Sequence, residues 1–171
     1  MIGSITAISI PVPEAMFLQS FRRRHLSASA ASMPPHISLF GPFKDMESVD
    51  ENDLHILKGI TASFPRFPFI LQKTGNFPDI HVLYLQPEPV TPFMALHRAL
   101  CAGFPEVPPG FPDPVIHLTL AGSQRGELEK VEQEFQAAFG NRLPIEATAK
   151  EICIYEKRDD IWTQRISLPL D

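Results

Sequence analysis

His36-Ile37-Ser38-Leu39 and His117-Leu118-Thr119-Leu120 write one pattern, His-apolar-hydroxyl-apolar, twice in a chain of 171 residues. Extended backbone sends successive side chains to opposite faces, so each tetrapeptide predicts a strand with an imidazole and a hydroxyl on one side and two aliphatic anchors on the other. The aliphatic side belongs to a core. The polar side is free for chemistry. Two imidazoles and two hydroxyls supply one base, one acid and two neutral donors, the set that a phosphate diester needs for attack and departure without a metal.

Outward from these strands the same order of elements is legible twice. Residues 4–10 are rich in β-branched side chains and stop at Pro11, which suits a strand, and Pro13 can open a helix running toward His25. The small residues 27–32 suggest a loop. Pro34-Pro35 then lead into the first motif strand, which ends at Gly41-Pro42. Val49, Leu54, Leu57 and Ile60 make an apolar stripe over residues 46–64, a helix whose early turns Asn52-Asp53 should weaken. Residues 67–73 read as a strand.

The second round begins with alternating residues 81–86, a strand, followed by Thr91-Pro92, an N-cap with proline at the first helical position and a helix to about residue 102. Residues 105–114 hold five prolines and one glycine, which excludes regular structure and predicts a stiff connection. It delivers the chain to the second motif strand, 115–121. Leu128, Val131, Phe135 and Ala138 mark a helix over 127–139 that ends at Gly140-Asn141. Strands over 145–155 and 161–168 follow, joined by a turn at Arg158-Asp159-Asp160.

Strand, helix, motif strand, helix, strand thus occurs twice, with the motif at the same station. The expectation is an α+β fold of one domain, 1–171, pseudo-duplicated into lobes from the halves 1–77 and 78–171. Mostly antiparallel sheets should line a central cleft, with helices outside and the motif strands facing each other. An ordinary α+β sandwich would use the same elements, so the pairing rests on the repeated chemistry.

Composition narrows the partners. Hydrophobic residues make up 44% of the chain, enough for a substantial core. A net charge of −5 argues against an extended nucleic-acid surface, which relies on many Lys and Arg neutralising phosphates; the ligand should be small or gripped locally. Cys101 and Cys153 form neither a CxxC pair nor a disulfide framework, which points to a reducing compartment. No charged leader precedes a long apolar stretch at residues 1–10, and no run approaches the ~20 apolar residues of a membrane span. A cytoplasmic, monomeric protein without membrane attachment is expected.

Paired on predicted strands half a chain apart, the two tetrapeptides resemble the signature of the 2H phosphoesterase superfamily, which includes RNA 2′,3′-cyclic phosphodiesterases once named 2′,5′-RNA ligases. The late hairpin, 155–168, is similar to that family's closing strands. The resemblance implies a two-lobed fold with both motifs in a central cleft and catalysis with neither metal nor cofactor. His36 and His117 would flank the phosphorus, one taking a proton from water and the other giving one to the leaving ribose oxygen. Ser38 and Thr119 would hold the non-bridging oxygens. The substrate would be a 2′,3′-cyclic phosphate on an RNA end, a cyclic nucleotide or a cyclic ADP-ribose phosphate. A nucleoside monophosphate-binding module, a 2′,5′-phosphodiester hydrolase or ligase, and a structural protein are the alternatives. Ser38 replaces the family's usual threonine, and Phe40-Gly41-Pro42-Phe43 departs from its usual turn, so subfamily and substrate stay open.

Further candidates surround this core. Arg22-Arg23-Arg24 could send a guanidinium, Arg24 foremost, to a nucleotide phosphate, against the alternative of a solvated helix face. Phe40, Phe43, Phe111, Tyr155 and Trp162 are candidates for stacking on a base, with Tyr155 and Trp162 best suited to the rim. His25, His55, His81 and His97 lack both a companion hydroxyl and metal-ligand spacing and are assigned to surface or packing. No metal ligand set is expected.

Overall fold

The computed structural model describes residues 4–122 and 127–171. Strand β1 (Ile5–Pro11) leads through a 3-10 turn, Pro13–Leu18, into α1 (Gln19–His25) and α2 (Ala28–Ser32). There follow β2 (His36–Phe40), α3 (Glu51–Ala62), β3 (Phe67–Phe77), β4 (Val82–Glu88) and α4 (Thr91–Gly103). The chain closes with β5 (Leu118–Gly122), α5 (Leu128–Phe139), β6 (Ile145–Ala149), β7 (Glu151–Arg158) and β8 (Ile161–Pro169). The class is α+β, as expected.

Three local readings are corrected. Residues 27–32 are not a loop, because the Ser27 hydroxyl accepts from Ala30 N at 3.1 Å and caps an alanine-rich turn of helix. Asp53 does not weaken the start of α3. It closes that start, since Asp50 and Asp53 accept from each other's backbone N–H at 2.9 and 3.1 Å, a reciprocal cap that begins the helix at Glu51 and leaves only a 3-10 turn, Met46–Ser48, before it. Residues 145–155 are two strands. Ile145, Ala147 and Ala149 are buried at odd positions, whereas Ile152 and Ile154 continue the core at even ones, so the alternation changes phase at Lys150 where the chain crosses between sheets. The turn into β8 is as expected, with Asp159 and Asp160 both at positive φ, 52° and 62°.

The strands form two antiparallel sheets, ordered β2-β1-β7-β8 and β5-β4-β3-β6. The lobes therefore do not divide at 77/78. Each half of the chain feeds the other's sheet: β3 pairs with β4, and β7, carrying β8 on its far side, pairs with β1. What survives the exchange is the station of the motifs. Both β2 and β5 are edge strands, each paired with the first strand of its own half, and they pack against one another. Ile37, Leu39, Leu118 and Leu120 all enter one continuous hydrophobic core, the inward half of the alternation. No helix among the described residues is long and apolar enough to cross a membrane.

Candidate active site

His36 heads β2, and His117 stands one residue ahead of β5. Both rings are fixed the same way. His36 Nδ1 lies 2.8 Å from the Pro34 carbonyl and His117 Nδ1 lies 2.7 Å from the Val115 carbonyl. A carbonyl only accepts, so each Nδ1 carries the hydrogen and each Nε2 is left as the nitrogen that gains and loses a proton. Proline-bearing approaches, Pro34-Pro35 and Pro114-Val115, hold the backbone extended where these bonds form.

Two residues beyond each histidine, on the same face, Ser38 and Thr119 line a cavity of about 650 Å³ that His117 also lines. Three of the four motif side chains thus line the cavity, and the fourth, His36, heads the strand that packs against β5. His117 packs against the pair Phe77 and Tyr84, with ring centroids 5.1 and 5.2 Å away. Gly75 stands opposite Tyr84 in the β3–β4 pairing, and a Cβ there would come within 2.5 Å of the Tyr84 ring, so the missing side chain is what lets that ring lie against His117.

Desolvation is the main electrostatic influence on both imidazoles. Burial pushes His36 down to about 4, with smaller contributions from the charges of Arg22 and His117 and an opposing one from its bond to Pro34. Burial also lowers His117, against its bond to Val115. Both rings thus favour the neutral state in the empty cleft. A bound phosphate anion would favour protonation of one of them.

The remaining candidates are distributed unevenly. Arg24 does not line the cavity; it pairs with Glu134 at 3.0 Å and lies over the Phe21 ring. Arg22 is the member of the basic run that turns inward, 1% exposed, donating from Nε to the Thr119 carbonyl. Phe40 lines the cavity floor but is buried edge-on against Phe43. Tyr155 is not on the rim. It is 2% exposed, because β7 is an interior strand, and its ring stands behind His36 at 6.5 Å. Trp162 packs, half buried, on Met33, Cys153 and Tyr155.

The aromatic side chain at the mouth is instead Phe111, 74% exposed, with Ile80 beside it in the cavity lining. Its signal in the sequence is its company: inside a five-proline segment no regular element can carry a phenylalanine into the core. That segment docks onto the Gly41-Pro42 turn, where Gly110 N donates to Gly41 O at 3.2 Å and a Cβ at Gly110 would sit 2.4 Å from that oxygen. The unusual turn after the first motif is thus a seat for the rim. His97, assigned to surface or packing, is buried; its Nδ1 lies 2.8 Å from the Leu39 carbonyl and its Nε2 faces the Pro112 carbonyl at 3.3 Å, so it links β2 to the same segment. Among the described residues no group of three or more His, Cys, Asp or Glu side chains is placed to hold a metal ion.

A family model described as the 2′-5′ RNA ligase superfamily matches residues 10–161, both motif strands included. The chain belongs to that superfamily. A curated relative, a candidate phosphoesterase GK0864 of Geobacillus kaustophilus (strain HTA426), is 33% identical over 88 residues, 51% of this chain and 50% of its own. The alignment therefore spans about half the length of either protein. Among solved structures, TT0787 of Thermus thermophilus superposes with a TM-score of 0.65 at 18% identity over 97% of both chains. Escherichia coli LigT complexed with 3′-AMP gives 0.61 at 16% identity over 98% of both. These likenesses show the fold that the paired sheets share with those proteins.

Proposed function

We propose that this 2′-5′ RNA ligase superfamily protein is a metal-independent phosphodiesterase that hydrolyses a 2′,3′-cyclic phosphate, with His36 and His117 as the acid/base pair. One observation carries the reading: two histidines with the same Nδ1-to-carbonyl anchor, each followed at the second residue by a hydroxyl, stand on two edge strands that pack together. In this reading the Nε2 atoms of both rings and the two hydroxyls serve one cleft, which Ser38, His117 and Thr119 line directly. One Nε2 takes a proton from water as its oxygen bonds to phosphorus, and the other gives its proton to the ribose oxygen as the P–O bond breaks. Ser38 and Thr119 donate to the non-bridging oxygens, where charge grows. The product is a phosphomonoester.

The cavity volume of about 650 Å³ suits a nucleotide, and LigT has been crystallised with 3′-AMP and with ATP. Asp79 and Asp113 line the cavity, and no described Lys or Arg does, which favours a ligand with few negative charges. The test is turnover of nucleoside 2′,3′-cyclic monophosphates and 2′,5′-linked dinucleotides in EDTA, with products followed by ³¹P NMR. Ring opening to a monoester with a bell-shaped pH profile is expected. Binding without turnover across that panel would replace the enzyme with a nucleotide-binding module.

The two hydroxyls should not weigh equally. Thr119 is half buried and Ser38 exposed, so water can stand in for Ser38 but not readily for Thr119. Thr119→Val is expected to lower kcat about 100-fold and Ser38→Ala about 10-fold, measured by steady-state kinetics on the same substrate.

A further inference from the structure

Arg22 heads the fully buried side chains of the protein when these are ranked by size. Burial lowers its pKa to about 10, which still leaves the guanidinium charged near neutrality. Among the described residues no carboxylate lies within ion-pair distance of it. Two carboxylates of α5 have other partners: Glu134 takes Arg24 and His25, and Glu132 accepts from Thr74. Neutral oxygens hold Arg22 instead. Nε donates to Thr119 O at 3.0 Å, and Nη1 donates to Met33 O at 3.0 Å and to Gln19 Oε1 at 2.6 Å.

Two of those acceptors belong to the histidine-bearing segments. Thr119 lies two residues past His117, and Met33 lies three before His36. A buried charge is costly to desolvate, and an uncharged side chain of similar size would pack a core with less penalty. Retaining a cation here calls for a role that uses its charge. The groups that face His36 are Arg22 from α1, His117 from the β5 side and the Tyr155 ring from β7, whose phenol burial keeps protonated; His97 of α4 reaches the Leu39 carbonyl further along β2. Ser9 and Pro11, opposite Ser38 and His36 on β1, carry no charge.

We propose that Arg22 is a positioning residue of this site: its carboxylate-free guanidinium ties β5 to the segment that leads into β2 through the Thr119 and Met33 carbonyls and holds a fixed positive charge on the His36 side of the site. Burial favours the neutral His36 ring and the Arg22 charge adds to that preference, so His36 is the imidazole that takes the proton from water. His117 is then the one that gives a proton to the leaving ribose oxygen, and solvent returns both to their starting states. The proton roles rest on the phosphodiesterase reading; the effect of Arg22 on His36 does not.

The experiment is a ¹⁵N NMR titration of the histidine side chains in the free protein, with Gln19→Glu, Arg22→Lys and Arg22→Met beside wild type. Gln19→Glu sets a carboxylate where Oε1 now accepts from Nη1, cancelling the charge while the guanidinium keeps its bonds to the Thr119 and Met33 carbonyls. In wild type the His36 midpoint is expected below that of His117. Gln19→Glu and Arg22→Met should raise the His36 midpoint by about one unit, and Arg22→Lys should leave it low while kcat falls, since an ammonium lacks the fork that bridges two carbonyls. In a Gln19→Glu enzyme kcat should fall several-fold with KM unchanged. A His36 midpoint that does not move in Gln19→Glu, or that lies at or above that of His117 in wild type, overturns the proposal. If Arg22→Met does not fold, those two measurements decide. Turnover of no diester at all would remove the phosphodiesterase reading and leave the titration to be read by itself.

Discussion

Alanine at His36 or at His117 is expected to lower kcat for a 2′,3′-cyclic nucleotide by about 10²–10⁴-fold in either single variant, with KM changed far less. The asymmetry follows from the division of labour in the cleft. Ser38 and Thr119 line the cavity and in the proposed reaction hold the phosphate of ground state and transition state alike, whereas the two Nε2 atoms would act only while protons move. The double variant should be little slower than the worse single one, because an acid without its base leaves the same uncatalysed step in place. Neither loss should come from unfolding. Each imidazole makes one backbone hydrogen bond, to Pro34 or Val115, and the aliphatic anchors of both strands are untouched. Steady-state rates beside thermal denaturation of the same samples check both halves of the expectation. Full turnover in either variant would discard the acid/base pair, and His36→Gln and His117→Gln serve where alanine disturbs the strand.

The two faces of each motif strand were legible because they are written at period two. A His and a hydroxyl two residues apart declare a shared face wherever the strand ends up, and Ile37, Leu39, Leu118 and Leu120 declare the opposite one. Which sheet a strand joins is a long-range choice with no local period, and β3, β7 and β8 all enter the sheet of the other half. The break at Lys150 did leave a local trace, a change of phase in the buried positions, that a single run over 145–155 overlooked. Tyr155 and Phe111 exchanged places for a related reason. Tyr155 follows a β-rich run, and only the pairing of β7 on both sides shows that it is interior, while Phe111 is exposed by prolines that bar it from any element. Arg22 was hidden in a run of three arginines. On a seven-residue helix one of three consecutive side chains must turn toward the sheet, but which one depends on where α1 meets β5.

Stability should fall with pH between roughly 6.5 and 4, and His36 should account for up to roughly 3 kcal/mol of that fall. In the unfolded chain this imidazole has an ordinary pKa near 6.5, whereas burial holds it at about 4 in the fold, with Arg22 and His117 adding to the effect. Within that window the unfolded chain binds a proton that the folded chain refuses, so acid favours unfolding; above about 6.5 both states are neutral and the effect vanishes. Burial moves His117 in the same direction, so its contribution adds to the slope. His36→Gln removes the titrating group while keeping a polar side chain of similar reach. Urea unfolding of wild type and His36→Gln from pH 4.5 to 8 should give curves that nearly coincide at the alkaline end and diverge toward acid, where the variant is the more stable protein. Carboxylates that lose partners in acid are common to both proteins and cancel in the difference. Parallel curves would mean that His36 titrates as it does in water, and the desolvated, Arg22-facing imidazole would have to be given up. A diverging pair would place a cost on the site: in mild acid the same desolvation that keeps a base neutral for proton abstraction works against the fold that houses it.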